Sequence, residues 1–216
     1  MWIESDEWPG EAGTAEDFQV TDVSDARSRR WEATHRRIYE VAIELFQKLG
    51  FDTVKVGQIA SQAGVSVPTF YAHYPSKEHI VMSLPTAQEM AELLATQPAD
   101  RPLTERLRNA APIWFGMWSP EYREAQLVRW RIIATTPSLR NRAAEFERET
   151  ARLVADAVPS KPGQPATPTE QVVVNAHLAA FTVGMLRWAE GNGERKLEEV
   201  VDEAFGALQG MGNTAL

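Results

Sequence analysis

VGQIASQAGVSVPTFYAHY, residues 56–74, divides into two short helical segments joined at a glycine. Val56 to Ala63 turns Ile59, Ala60 and Ala63 to one side, and Gly64 closes the segment. Pro68 suits the first turn of the second segment, where its missing N–H costs nothing, and Pro75 stops that segment after Tyr74. This is helix-turn-helix spacing, in which the second helix enters a major groove while the first crosses the phosphate backbone. Phe70 and Tyr74, four residues apart, share a face, and Val65 can pack beside Phe70. A helix buried in a core accounts for those two rings. It leaves Thr69, Tyr71, His73 and Lys77 unexplained within the same ten residues. Hydroxyl, imidazole and ammonium donors at helical spacing suit phosphate oxygens.

Away from this pair the periodicity remains helical. Ile38, Val41, Ala42, Leu45 and Phe46 recur at three- and four-residue spacing within about 28–49, and Gly50 follows. Ser76 is placed to cap a fourth helix through Ile80, Val81 and Leu84, which Pro85 ends or kinks. Longer helices are expected over 102–118, 121–135, 138–157, 169–190 and 194–209. Pro98, Pro120, Pro137 and the Gly191/Gly193 pair separate them, together with the polar, proline-dense loop KPGQPATPT at 161–169. There is no strand-like alternation of useful length and no internal repeat, so the expected fold class is all-α.

The 216 residues are 44% hydrophobic and 24% charged, an ordinary globular composition. Without cysteine there are neither disulfides nor thiolate chemistry. The acidic N-terminus is unlike a signal peptide, and no run of apolar residues reaches the roughly 18 that a membrane span needs. A soluble, cytoplasmic protein with no membrane partner is expected. The net charge of −8 opposes nucleic-acid binding only on average. Residues 1–23 hold seven acids and no Lys or Arg, whereas 24–85 hold eight Lys/Arg against six acids. The expected organisation is an acidic flexible tail over 1–25, a DNA-binding domain over 26–84, a helical domain over 85–210 and a C-terminal tail over 211–216.

The stretch IYEVAIELFQKLGFDTVKVGQIASQAGVSVPTFYAHYPSKEHIV resembles the N-terminal DNA-binding domain of the TetR family of transcriptional regulators. The likeness covers roughly residues 31–84 and rests on LFQKLGFDTV, IASQAGVS and TFYAHYPSKE taken together. It implies a two-fold homodimer, a palindromic double-stranded DNA operator, and a C-terminal domain whose small-molecule effector releases the DNA. Carried over by position, Ser66, Val67 and Pro68 open the recognition helix and face base edges, Val67 being suited to a thymine methyl. Thr69, Tyr71 and His73 bind phosphates, Tyr74 packs or reaches phosphate, and Lys77 binds a phosphate in the same groove. Thr53 either donates to the DNA backbone or caps the second helix.

Two positions depart from the family's habit. Lys55 stands where a threonine is common; it can neutralise a phosphate but cannot cap. Gly57 stands where some members place a long polar side chain that reads a base. Readout then rests on few side chains, with Gln58 a possible helper, and leans on DNA shape. Arg27, Arg29 and Arg30 read either as a minor-groove extension or as a solvated basic start to the first helix.

The second domain is rich in large apolar groups: Trp114, Phe115 and Trp118, then Trp130, and further on Phe181, Met185 and Trp188. Such surfaces build either a plain helical core or a cavity for a bulky apolar molecule. The run LVRWRIIATTPSLRNRAAEFERE is similar to family members thought to sense acyl-CoA or related fatty compounds. Arg131, with Arg129, Arg140 and Arg142, is a candidate for a phosphate or carboxylate, against exposed pairing with Glu. Gly116 and Gly184 mark either close helix packing or room for a ligand. The resemblance implies that the last two helices dock on a two-fold mate as a four-helix bundle; Ala176, Ala179 and Ala180 would permit that close approach, and packing within the chain would look the same in sequence.

Catalysis is not expected. There is no Gly-rich phosphate loop and no HExxH, and the four histidines are scattered without carboxylates at metal spacing, so neither a metal nor a cofactor is called for. The reading is a ligand-responsive DNA-binding transcriptional regulator, a repressor released from its operator by a bulky apolar or acyl-type molecule. The alternative is an all-helical small-molecule-binding or protein-interaction module without operator binding.

Overall fold

Glycine and proline set most of the helix ends in the computed structural model, which describes residues 15–82, 87–157 and 164–213. α1 (Ala15–Leu49) stops at Gly50, and α2 (Val56–Gln62) at Gly64. Both glycines have positive φ, +79° and +65°, and Val65 N–H reaches back to Ala60 O at 2.9 Å to close the turn. α3 (Val67–His73) opens on Ser66, whose hydroxyl accepts from Thr69 N–H at 3.1 Å, with Pro68 in the first turn. α4 (Glu78–Val81) is one turn long, and α5 (Ala87–Ala95) and α6 (Leu103–Gly116) follow. Ser119 caps α7 (Pro120–Thr135), and Pro137 begins α8 (Pro137–Ala157). A reciprocal Thr167–Glu170 box opens α9 (Pro168–Glu190), and α10 (Leu197–Asn213) ends the chain's described part. No strand occurs among the described residues.

Several expectations need correction. α1 begins at Ala15, so part of the segment read as a flexible tail is helical backbone. No proline or glycine interrupts 15–49. The tail's first fourteen residues, and Pro85, lie outside the described residues. α10 runs to Asn213, into the segment read as a C-terminal tail, and 214–216 lie outside the description. α5 has no counterpart among the expected helices. Ser76 does not cap α4; its hydroxyl meets His79 Nδ1 at 2.9 Å.

Three apolar clusters hold the helices. The first joins α1, α2, α3 and α4 around Ile38, Phe51, Ile59 and Phe70, and continues into the second domain through Ile132, Ile133, Leu139 and Phe146. The second lies among α5, α6, α8 and α9, with Leu94, Val154 and Val174 at its centre. The third packs α6, α9 and α10 around Phe115, Met185, Leu197 and Val201. Gly184 lies in this last cluster. A Cβ there would sit 2.9 Å from both Cα and Cγ2 of Val201, so glycine serves close packing of α9 on α10. At Gly116 an added Cβ meets nothing within 4 Å.

α3 is tied to α1 by stacked rings. Tyr74 stacks on His35 at 4.2 Å and its hydroxyl donates to His35 O at 3.2 Å. Trp31 lies 4.7 Å from the His35 ring and 4.9 Å from His73, and Nδ1 of each histidine is buried without a hydrogen-bond partner. Burial, and for His35 also the nearby His73, pushes both imidazoles below their ordinary value of 6.5. Burial likewise pushes the Tyr74 phenol far up, so it stays neutral.

Gly184→Ala is expected to destabilise the fold by about 1–3 kcal/mol, read as a lower denaturant midpoint, while Gly116→Ala is near neutral. The histidine cluster predicts a pH dependence as well. With folded pKa values below 6.5, the native chain binds fewer protons than the unfolded one, so its full stability is present above about pH 6.5 and is lost as pH falls below it. Thermal melts between pH 7.5 and 5 should show that decline, and His35→Gln combined with His73→Gln should flatten it.

Candidate nucleic-acid interface and effector cavity

The exposed face of α3 follows from how that helix is seated. Phe70 is wholly buried in the first cluster, with Tyr74 beside it at 6.1 Å between ring centroids. Locking that side turns Val67, Pro68, Tyr71 and Ala72 outward, at the one- and four-residue spacing of a single helix face. Tyr71 is about half exposed and Val67 is exposed. Ser66, Thr53, Lys55 and Gln58 are exposed too. Thr69 and His73 stand half-buried on the flank of that face. The Ser66 and Thr69 hydroxyls lie 2.7 Å apart, so Ser66 combines capping with its exposed position.

Of the ten expected DNA-contact residues, two have their polar ends committed within the fold, and for Tyr74 packing was one of the two expectations. Tyr74 is buried, its hydroxyl committed to His35 O. Lys77 turns its ammonium into the domain, donating to Phe51 O at 2.8 Å and Val54 O at 2.9 Å, and lying 4.3 Å from the centre of the Phe51 ring. The α1–α2 turn leaves those carbonyls without helical partners, and the four-carbon stem reaches them from the start of α4. Arg37 plays a similar part, its Nε donating to Ala63 O at 2.8 Å at the end of α2. An added Cβ at exposed Gly57 meets nothing within 4 Å, so the space beside it is open. Arg27, Arg29 and Arg30 are exposed on the helical backbone of α1.

The second feature is a cavity of about 170 Å³ in the helical domain. Its floor is Val81 and Met82 at the end of α4, the same residues that close the first core cluster. Its walls come from α5 to α9, with Phe205 of α10. Of the eight residues expected to bind a ligand, Trp114, Trp130 and Phe181 line it. Phe115, Met185 and Trp188 are instead buried in the third cluster, Trp118 packs against that cluster, and Arg131 donates to Asn192 Oδ1. Helical phase explains the division. Trp130 and Ile133 turn one side of α7 to the cavity and Arg131 lies off it; on α6, Trp114 faces the cavity while Phe115 faces α9 and α10. The cavity is therefore narrower than the count of aromatic residues suggests.

Arg129, one of the arginines considered for an anionic group, does line the cavity. Burial pushes its guanidinium pKa down, partly offset by the phenols of Tyr39 and Tyr122. Arg140 pairs with Glu190 at 3.1 Å, and Arg142 with Glu78 at 3.7 Å and Glu145 at 3.6 Å. Sequence reading missed four polar lining residues: Glu147, Thr150, His177 and Thr182. They fall on otherwise polar or mixed helix faces, so no periodicity sets them apart. Thr150 donates to Phe146 O at 2.9 Å. His177 Nδ1 lies 2.8 Å from Val173 O, and since a carbonyl only accepts, Nδ1 carries the hydrogen.

Polar contacts as well as the shared core join the cavity's helices to the helix-turn-helix. Ser138 at the start of α8 donates to Asp52 Oδ1 at 2.6 Å, and the Arg142–Glu78 pair links α8 to α4. Burial raises the Glu78 carboxyl pKa, but hydrogen bonds from Ser76 and the backbone, with Arg142 and Lys77 nearby, hold it below the ordinary value. Among the described residues no three potential metal ligands converge.

Residues 38–84 match the family described as bacterial regulatory proteins of the tetR family, and residues 101–211 match the MftR C-terminal domain, which alone covers half the chain. The HTH-type transcriptional regulator TcmR of Streptomyces glaucescens is 28% identical over 142 residues, 60% of this chain and 62% of its own. MftR of Mycobacterium tuberculosis is 35% identical over 114 residues, 51% of this chain and 57% of its own. The chain thus spans about three fifths of the length of these curated relatives. Both TcmR and the HTH-type repressor KstR of Rhodococcus jostii, 29% identical over 85 residues, are named as transcriptional regulators and not as enzymes. Among solved structures, the FadR repressor of Thermus thermophilus, in complex with lauroyl-CoA, overlays with a TM-score of 0.46 at 21% identity, covering 84% of this chain and 95% of that one. The chain belongs to the TetR family of bacterial transcriptional regulators, with a C-terminal half of the MftR type.

Proposed function

We propose that this chain is a homodimeric, cytoplasmic repressor that a largely apolar small molecule releases from a palindromic operator. The single observation that carries the reading is the shared wall: Val81 and Met82 belong both to the core that seats α3 and to the cavity. A ligand that fills the cavity acts on α4 directly, and α4 carries the reading head. In a dimer the two heads must meet successive major grooves about 34 Å apart, so a small tilt of α4 separates matched from mismatched heads. Effector and operator affinities are then reciprocally coupled.

DNA contact is assigned to Val67, Pro68 and Tyr71 on the outward face of α3, with Ser66, Thr69 and His73 flanking it and Thr53 and Lys55 before α2. Val67 reads thymine methyls; the hydroxyls, His73 and Lys55 take phosphates. With Gly57 silent, sequence choice leans on the shape of the duplex.

The dimer interface is assigned to α9 and α10. α9 is long and apolar enough, by length and composition, to cross a membrane, yet its inner side packs on α6, α7, α8 and α10. Its outer side leaves Val172 and Val183 exposed. A helix apolar on both sides calls for a second packing partner. On α10, added Cβ atoms at Gly206 and Gly210 meet nothing within 4 Å, which leaves room for a close helix approach. A two-fold copy would complete a four-helix bundle there.

Titrating the chain with DNA flanking its own gene separates this reading from a helical module without operator binding. Steeply salt-dependent binding is expected, and Lys55→Ala should reduce the slope of log K against log salt by about one per half-site. Binding no stronger than to random DNA at every salt concentration sinks the regulator reading. Val183→Arg is expected to shift the chain from dimer to folded monomer in sedimentation velocity, with loss of operator binding.

A further inference from the structure

We propose that the cavity takes a compact organic monoacid, its carboxylate against Arg129 and its hydrocarbon body against Trp114, Trp130 and Phe181. This rests on reading the cavity as the effector site and names the chemical class of its ligand.

Size gives the first constraint. A cavity of roughly 150 Å³ lined by apolar groups accepts benzene, so about 170 Å³ admits one ring, or a short branched chain, with a small substituent.

Charge gives the second. The lining is overwhelmingly apolar, and Arg129 is the one Lys or Arg among its described residues. The groups acting on it electrostatically include the phenols of Tyr39 on α1 and Tyr122 on α7. A guanidinium set in the wall of an apolar hollow is matched best by an anion, and its fork fits a carboxylate.

The remaining polar groups set the limit to one acid. The Thr150 hydroxyl already gives its hydrogen to Phe146 O, and His177 gives its Nδ1 hydrogen to Val173 O. When neutral, His177 has only an acceptor left at Nε2. Glu147 on α8 adds a carboxylate. Thr182 adds one hydroxyl, and Glu147 opposes any negative charge beyond the single one that Arg129 offsets. A diacid or a polyphosphate head is therefore rejected, while a hydroxyl on the ligand would be welcome opposite Glu147 or His177.

The test uses the full chain and three probes of nearly one shape: phenylacetate, phenylacetamide and phenethylamine. Calorimetric titration at pH 7.5 is expected to show phenylacetate bound at least about tenfold more tightly than the amide, with the amine weaker still. Tryptophan emission should change with binding, since Trp114 and Trp130 line the cavity. Arg129→Gln should bring acid and amide to equal affinity, and Glu147→Gln should leave the acid's affinity unchanged or raised. If Arg129→Gln does not fold, the wild-type series decides alone. Equal binding of acid and amide, preference for the amine, or no titration of phenylacetate in the millimolar range each overturns the proposal. A gel shift run in parallel reads the other claim. Loss of DNA binding without any probe, or an acid that binds without releasing DNA, removes the effector reading and leaves the measured acid preference standing.

Discussion

The buried ring of Phe70 is the contact on which the rest depends. α3 is only seven residues long, too short to persist alone in water, so its position is decided by what holds one side of it. Phe70 places that side in the core, and the Tyr74–His35 stack and Tyr74 hydroxyl fix its far end against α1. Everything that can meet a duplex is simply what remains outside. The polar residues of α3 are displayed because an aromatic pair four residues apart is hidden.

The reading head is not an isolated module. Its core extends through Ile80, Val81 and Met82 to Ile132, Ile133 and Leu139, so the first domain is completed by residues of the second. That continuity makes a cavity beside α4 consequential. Apolar packing at protein-interior density does not deform smoothly; a filled void shifts its walls between discrete arrangements. The surface links beside it, Arg142–Glu78 at 3.7 Å and Ser138–Asp52, are partly exposed and add little energy beside that apolar core.

Much of this was legible in the residue order. The helix-turn-helix, with its Gly64 turn, Pro68 start and paired Phe70 and Tyr74, follows from local chemistry and stands in the structure within one residue. The long helices of the second domain also follow, because prolines and glycines punctuate them. The beginning of α1 was less legible, since an acid-rich segment without breakers fits both a tail and a helix. Neither Tyr74 nor Lys77 advertises in sequence that its polar end will meet a backbone carbonyl of a distant segment.

By itself the amino-acid sequence determined the all-helical class, the reading motif, its family and the outward face of α3, since each depends on spacing within about twenty residues. Only the tertiary structure decided which aromatics of the second domain are core and which are cavity wall, that Lys77 turns inward, and that Arg129 faces an apolar hollow. Those outcomes depend on the rotation of one helix against others many residues away, and burial across such distances leaves no period in the chain to read.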